Sequence, residues 1–145
     1  KAFYESEGDD PADLLLQIGD ALSGTRGAVG AIVAIERSKG TLSHAGIGNV
    51  STLVVQGKDV RRLAVRDGLL GGRTTTPHQG MIDIEPSAVV IMHSDGLNTL
   101  RSLETETSLL QRSAPVVAAD LLANNLRGRD DASIIVTRAS QARTL

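Results

Sequence analysis

Between Gly27 and Val65 the chain alternates short β-type runs with turns of three or four residues, and this rhythm constrains the fold more than any single motif. The runs "AVGAIVAIE" and "TLSHAGIGNV" flank "RSKG", and "STLVVQ" and "VRRLAV" flank "GKD". Runs so closely spaced read as hairpins. Hairpins impose antiparallel pairing, because parallel neighbours need crossovers of a dozen residues or more. Further along, "MIDIE" predicts a short strand and "ASIIVTR" the last one. "AVVIMH" is apolar on both faces and is expected at the centre of a sheet.

Two helices frame these strands. "GDDPADLLLQIGDAL" offers Asp9 or Asp10 as N-cap and Pro11 at the first helical position, followed by an apolar face of Leu14, Leu15, Ile18, Ala21 and Leu22. Pro115 opens the second helix, "PVVAADLLANNL", with Gly128 expected to end it. A shorter helix is expected over Glu104 to Gln111, and the aperiodic "RDGLLGGRTTTPHQG" reads as a loop. The fold class expected is α+β, a four-layer α-β-β-α sandwich of two antiparallel sheets flanked by helices. At 145 residues the chain fits one domain, residues 1–145, long enough to bury a real core.

Composition removes several functions. A net charge of -2 gives no reason to expect nucleic acid or an acidic membrane as partner. Aromatic residues are 1% of the chain, with Phe3 and Tyr4 adjacent, so stacking on bases is not expected. No apolar run reaches the ~18 residues of a membrane span. The lack of cysteine excludes disulfides and thiolate metal sites and fits a reducing, cytoplasmic compartment.

Acidic residues stand where two apolar strands meet loops. Asp95 follows one in "VVIMHSDGL"; Asp130 and Asp131 precede another in "LRGRDDASIIV", flanked by Arg127 and Arg129. Strands are depleted in Asp, so the placement calls for a reason. If the two strands are antiparallel neighbours, the end of one lies beside the start of the other, and Asp95 converges with Asp130. Crowded carboxylates raise each other's pKa unless a cation compensates them. An all-oxygen donor set without clustered His suits Mg²⁺ or Mn²⁺. Gly96 would let the backbone turn without a Cβ clash. Taken alone, "SDG" is also a common turn and "RDD" also a solvated charge cluster, so spacing leaves both readings open.

With "GTRGAVGAIVAIE", "HAGIGNV" and the glycine loop "GLLGG" between them and the first helix, these two motifs resemble the metal-dependent PPM (type-2C-like) serine/threonine protein phosphatases, more narrowly their bacterial SpoIIE-like branch. The resemblance runs from the first helix to the end of the chain. It implies that Asp95 and Asp130 are metal ligands. It implies for Asp131 support of the loop or of a water at the metals, with capping of the strand as the alternative. Asn49 of "GIGNV" falls near a polar pair that relatives carry close to the metals, although a core-facing amide is the expected reading. The family's first metal motif, Asp-Gly-x-Gly, should stand before the first helix, and nothing before Asp10 matches it. Asp67 of "RDGLLGG" has the letters in the wrong place. Because the chain begins with Lys1, the expectation is an N-terminally truncated domain, or else a naturally shortened relative.

The same resemblance implies two Mn²⁺ or Mg²⁺ ions in the intact domain, and hydrolysis of phosphoserine or phosphothreonine on a regulatory protein. In that branch the substrate is often a STAS-domain antagonist of an anti-sigma factor, in bacterial partner switching or stress signalling. Without the bridging ligand, weak activity or none is expected of this chain alone. The alternative is a catalytically inactive interaction module of the same fold, a pseudophosphatase that binds a regulatory partner.

Other candidates carry less. His44, His78 and His93 share no ligand spacing; His44 is expected on a sheet face and His78 in a loop. Ser94 has no His-Asp relay and no G-x-S-x-G around it. "GIGNV" is no P-loop, lacking the lysine. Arg26 is expected in an ion pair.

Overall fold

The computed structural model describes residues 10–72, 76–101, 103–128 and 130–139. Phe3, Tyr4, the alternative cap Asp9 and Arg129 lie outside the described residues. The chain forms two compact units, each with one antiparallel sheet and few helices.

The first unit holds helix α1 (Pro11–Ala21) and strands β1 (Gly30–Glu36), β2 (Thr41–Ile47) and β5 (His78–Asp83), in the order β1-β2-β5. Asp10 is the N-cap of α1: its Oδ1 accepts from the Ala12 N–H at 2.8 Å. Pro11 follows at the first position, where its missing N–H is no loss. Ala12 and Leu15 of the helix pack on Ala45 and Ile47 of β2 and on Leu70. Strand residues alternate between faces, so Leu42 and His44 point to the other side of the sheet.

The second unit holds strands β3 (Ser51–Gln56), β4 (Asp59–Leu63), β6 (Val89–His93) and β7 (Ile134–Arg138), and helices α2 (Thr107–Leu110) and α3 (Ala114–Asn125). Its sheet runs β4-β3-β6-β7, which places β6 inside, as its two apolar faces predict. Leu53, Val55, Val89 and Ile91 form one core with Val117 and Leu121 of α3 and with Leu100, Leu103 and Leu110. Burying each such side chain is worth roughly 1.5–3 kcal/mol, so this cluster dominates the unit's stability.

Several expectations shift. Among the described residues only β1–β2 and β3–β4 are hairpins; the pairs β2–β5, β3–β6 and β6–β7 join segments distant in sequence. Strand β5 begins at His78 and stops at Asp83, so His78 is in a strand and not in the loop. Its exposed residues are tolerated because β5 is an edge strand with one partner. Helix α3 ends at Asn125, before Gly128. There Leu126 turns extended, with ψ 137, and bridges Leu97 instead of continuing the helix. Among the described residues no helix is long and apolar enough to cross a membrane.

Candidate functional site

Strands β6 and β7 pair antiparallel from Val89↔Arg138 to His93↔Ile134. The end of the first therefore lies against the start of the second, as the two motifs require. Contact continues past the strands. The Ser94 N–H donates to the Ser133 carbonyl oxygen at 3.1 Å, and Ser94 Oγ accepts from the Ser133 N–H at 3.0 Å. Ser94, set aside as a nucleophile, thus pins the register of the two loops.

Next along the chain, the Gly96 carbonyl oxygen accepts from the Arg127 N–H at 2.8 Å. The Asn98 N–H donates to the Asn125 carbonyl oxygen at 2.8 Å, and Asn98 Nδ2 to that of Leu126 at 3.3 Å. Arg62 of β4 donates to the Leu100 carbonyl oxygen. The segment after β6 is held from several sides by backbone partners, so Asp95 sits on a fixed loop.

Gly96 is buried, and an added Cβ would stand 2.2 Å from the Asp131 carbonyl oxygen and 2.9 Å from Cα of Ala132. Gly96 has no left-handed φ. Its lack of a side chain serves close approach of two backbones and not a sharp turn, which revises the sequence expectation.

Asp95, Asp130 and Asp131 are all exposed. Asp130 Oδ1 accepts from the Asp131 N–H at 3.0 Å, which orients the first carboxylate of the pair against its own loop. Asp131 contributes its backbone to the Gly96 contact. The structure thus brings the loops of Asp95, Gly96, Asp130 and Asp131 together at one sheet end. Asn49 does not join them within that unit. It belongs to the first unit and is exposed in the bend after β2, so it is not the core-facing amide expected.

The donor set offers oxygens alone, which fits a hard cation. Among the described residues no group of three or more His, Asp or Glu gathers that could hold a metal. Two carboxylates suffice for Mg²⁺, which commonly keeps several waters and takes one or two protein carboxylates.

His93 is buried, and its Nδ1 lies 2.8 Å from the Ser94 carbonyl oxygen. A carbonyl can only accept, so the proton sits on Nδ1. His44 is also buried; burial first, and the neighbouring His78 second, lower its pKa from 6.5 to about 4. Sequence reading missed both burials, because a lone His in a strand carries no signal for depth.

The family model of stage II sporulation protein E (SpoIIE) matches residues 2–140. The chain belongs to the SpoIIE family. This is a PPM-type phosphatase domain, in keeping with the paired "SDG" and "RDD" loops. No curated protein matches the chain in sequence.

Among solved structures, the SpoIIE-family fold here is similar to a chain of the bacterial stressosome, with TM-score 0.80 and 20% identity, covering 93% of this chain and 70% of the other. It is similar to RsbX solved with magnesium, with TM-score 0.71 and 20% identity, covering 86% and 62%. It also resembles the catalytic domain of the serine/threonine phosphatase PstP in complex with two manganese ions, with TM-score 0.60 and 15% identity, covering 92% and 74%. Identities this low show a shared fold. The chain spans under two thirds of the RsbX chain.

Proposed function

We propose that this domain removes phosphate from phosphoserine or phosphothreonine on a regulatory protein, using a hard divalent cation held by Asp95 and Asp130. The observation that carries this reading is the β6–β7 register, which sets the two acidic loops side by side. Mn²⁺ or Mg²⁺ is the ion the donor set favours, and metals of those two kinds are present in the PstP and RsbX structures. When bound, such an ion neutralises phosphoryl oxygens and lowers the pKa of water.

The chain's own residues do the positioning. Asp95 and Asp130 supply negative oxygens on loops held rigid by backbone hydrogen bonds. Ser94 locks the loops in register, and Gly96 lets them approach to contact distance. Asp131 supports the loop through its backbone.

Likeness to RsbX and to a stressosome chain supports a substrate in partner switching, such as a phosphorylated STAS-domain protein in a bacterial cytoplasm. A second reading, a pseudophosphatase that binds such a partner without turnover, draws support from the lack of a three-ligand group among the described residues. The deciding experiment measures phosphate release from a phosphorylated STAS-domain protein with Mn²⁺, for wild type and Asp95→Asn. Release that depends on Asp95 supports the enzyme. Binding of the phosphoprotein without release supports the second reading.

A further inference from the structure

Strand β2 carries His44 in the middle of its sheet, and the edge strand β5 opens with His78. Their register pairs Gly46 with His78 and His44 with Gly80. Directly paired residues share a face, so the two imidazoles project from the same side of the sheet at diagonal positions. Diagonal neighbours lie ~7–8 Å apart at Cα, within reach of two aromatic-sized side chains. Both residues facing them are glycines, and the side chain nearest the space over Gly46 is that of Val65, whose Cγ1 would lie 2.6 Å from a Cβ there.

The His44 ring leans toward that space. A Cβ on Gly46 would lie 3.3 Å from both Cε1 and Nε2 of His44, which places the Nε2 edge over the residue that pairs with His78. His44 is only 3% exposed, and its Nε2 has no hydrogen-bond partner. A buried, unpartnered ring nitrogen costs free energy, on the order of 1–3 kcal/mol. Such an atom in a native structure calls for a partner. His78 is exposed and gives the pair a route to solvent.

We propose that His44 Nε2 and the His78 imidazole form a second metal site, in the first unit, that takes a borderline, imidazole-preferring divalent cation such as Zn²⁺. Carboxylate oxygens favour Mg²⁺ or Mn²⁺, whereas imidazole suits Zn²⁺, so the two sites differ in the ion they select. Two protein ligands leave the remaining positions of a tetrahedral ion to water or to an incoming ligand. This inference does not rest on the proposed phosphatase activity.

The test titrates Zn²⁺ alone into the 145-residue chain carrying Asp95→Asn and Asp130→Asn, which removes the carboxylate site. Calorimetry follows uptake, and ¹⁵N–¹H spectra follow the imidazole nitrogens. The expected result is saturable one-to-one uptake that shifts the ring signals of both His44 and His78. Adding His78→Ala, a change at an exposed position, should weaken uptake at least ~10-fold. The proposal is overturned by no saturable uptake, by uptake undiminished in the His78→Ala background, or by shifts confined to His78. The spectra report on His44 directly, so the test does not depend on a His44 variant that could fail to fold.

Discussion

Gly96 and Asp131 meet backbone to backbone: a single carbon added to Gly96 would lie 2.2 Å from the Asp131 carbonyl oxygen. The contact ties the loop that carries Asp95 to the loop that carries Asp130. Gly96→Ala must drive these backbones apart, because neither obstructing atom is the end of a flexible side chain. A loss of about 1–3 kcal/mol is expected, read from urea unfolding. Mn²⁺ affinity should fall in the same variant. As a control, Gly128 has φ +66 but open space around its Cβ position, so Gly128→Ala should cost only ~1–2 kcal/mol and leave Mn²⁺ binding intact.

Asp95→Asn and Asp130→Asn should separate stability from chemistry. Both side chains are exposed, and an Asn at 130 keeps the oxygen that accepts from the Asp131 N–H. Each variant should unfold within ±0.5 kcal/mol of wild type. Phosphate release and Mn²⁺ binding should fall by more than the ~10–100-fold typical of residues that merely support a ligand. Undiminished turnover in both variants would remove these residues from the site.

His44 gives the fold a pH dependence of definite sign. Its folded pKa is about 4, against 6.5 unfolded, so the unfolded chain binds more protons in that range. The stabilising contribution is complete above pH 6.5 and is lost progressively as pH falls toward 4. That span corresponds to ~3 kcal/mol. The urea midpoint of wild type should therefore fall more steeply than that of His44→Leu as pH drops from 7.5 to 4.5, since Leu cannot take up the proton. A parallel pH profile in the two proteins would assign the acid sensitivity to carboxylates instead.

The start of α1 offers a local test. Asp10 Oδ1 accepts from the Ala12 N–H at 2.8 Å, so Asp10→Ala should cost ~1 kcal/mol in thermal or urea unfolding. Asp10→Asn keeps the acceptor and should cost far less. A strong effect of Asn would point to the charge and the helix dipole instead of the hydrogen bond.

Much of this arrangement is legible in the residues themselves. Asp10 before Pro11 marks a helix start because cap and first turn involve atoms only two or three residues apart. "RSKG" and "GKD" mark hairpins for the same reason. "AVVIMH" marks a central strand because a run without polar alternation must be covered on both faces. Placing Asp95 beside Asp130 took one further assumption, that the strands next to them are neighbours, and the β6–β7 register bears it out.

Other features had no local signature. The role of Gly96 depends on Asp131, 35 residues away, and on how closely two backbones meet. Asn49 was expected in the core, yet the bend after β2 leaves it exposed. His78 joins β5 because β2 offers an edge to pair with, although its own neighbours read as loop.

The sequence by itself determined where the first helix starts and where the two hairpins turn, that pairing is antiparallel, and which carboxylates stand at strand ends. Those outcomes follow from backbone sterics and side-chain periodicity within a few residues. Tertiary structure alone decided that β2 pairs with β5 and β3 with β6, and that Ser94 and Gly96 lock two distant loops together. It also decided that His44 and His93 are buried. Such outcomes depend on which distant apolar faces cover each other and in what register, a choice made by burial and hydrogen bonding across the whole chain.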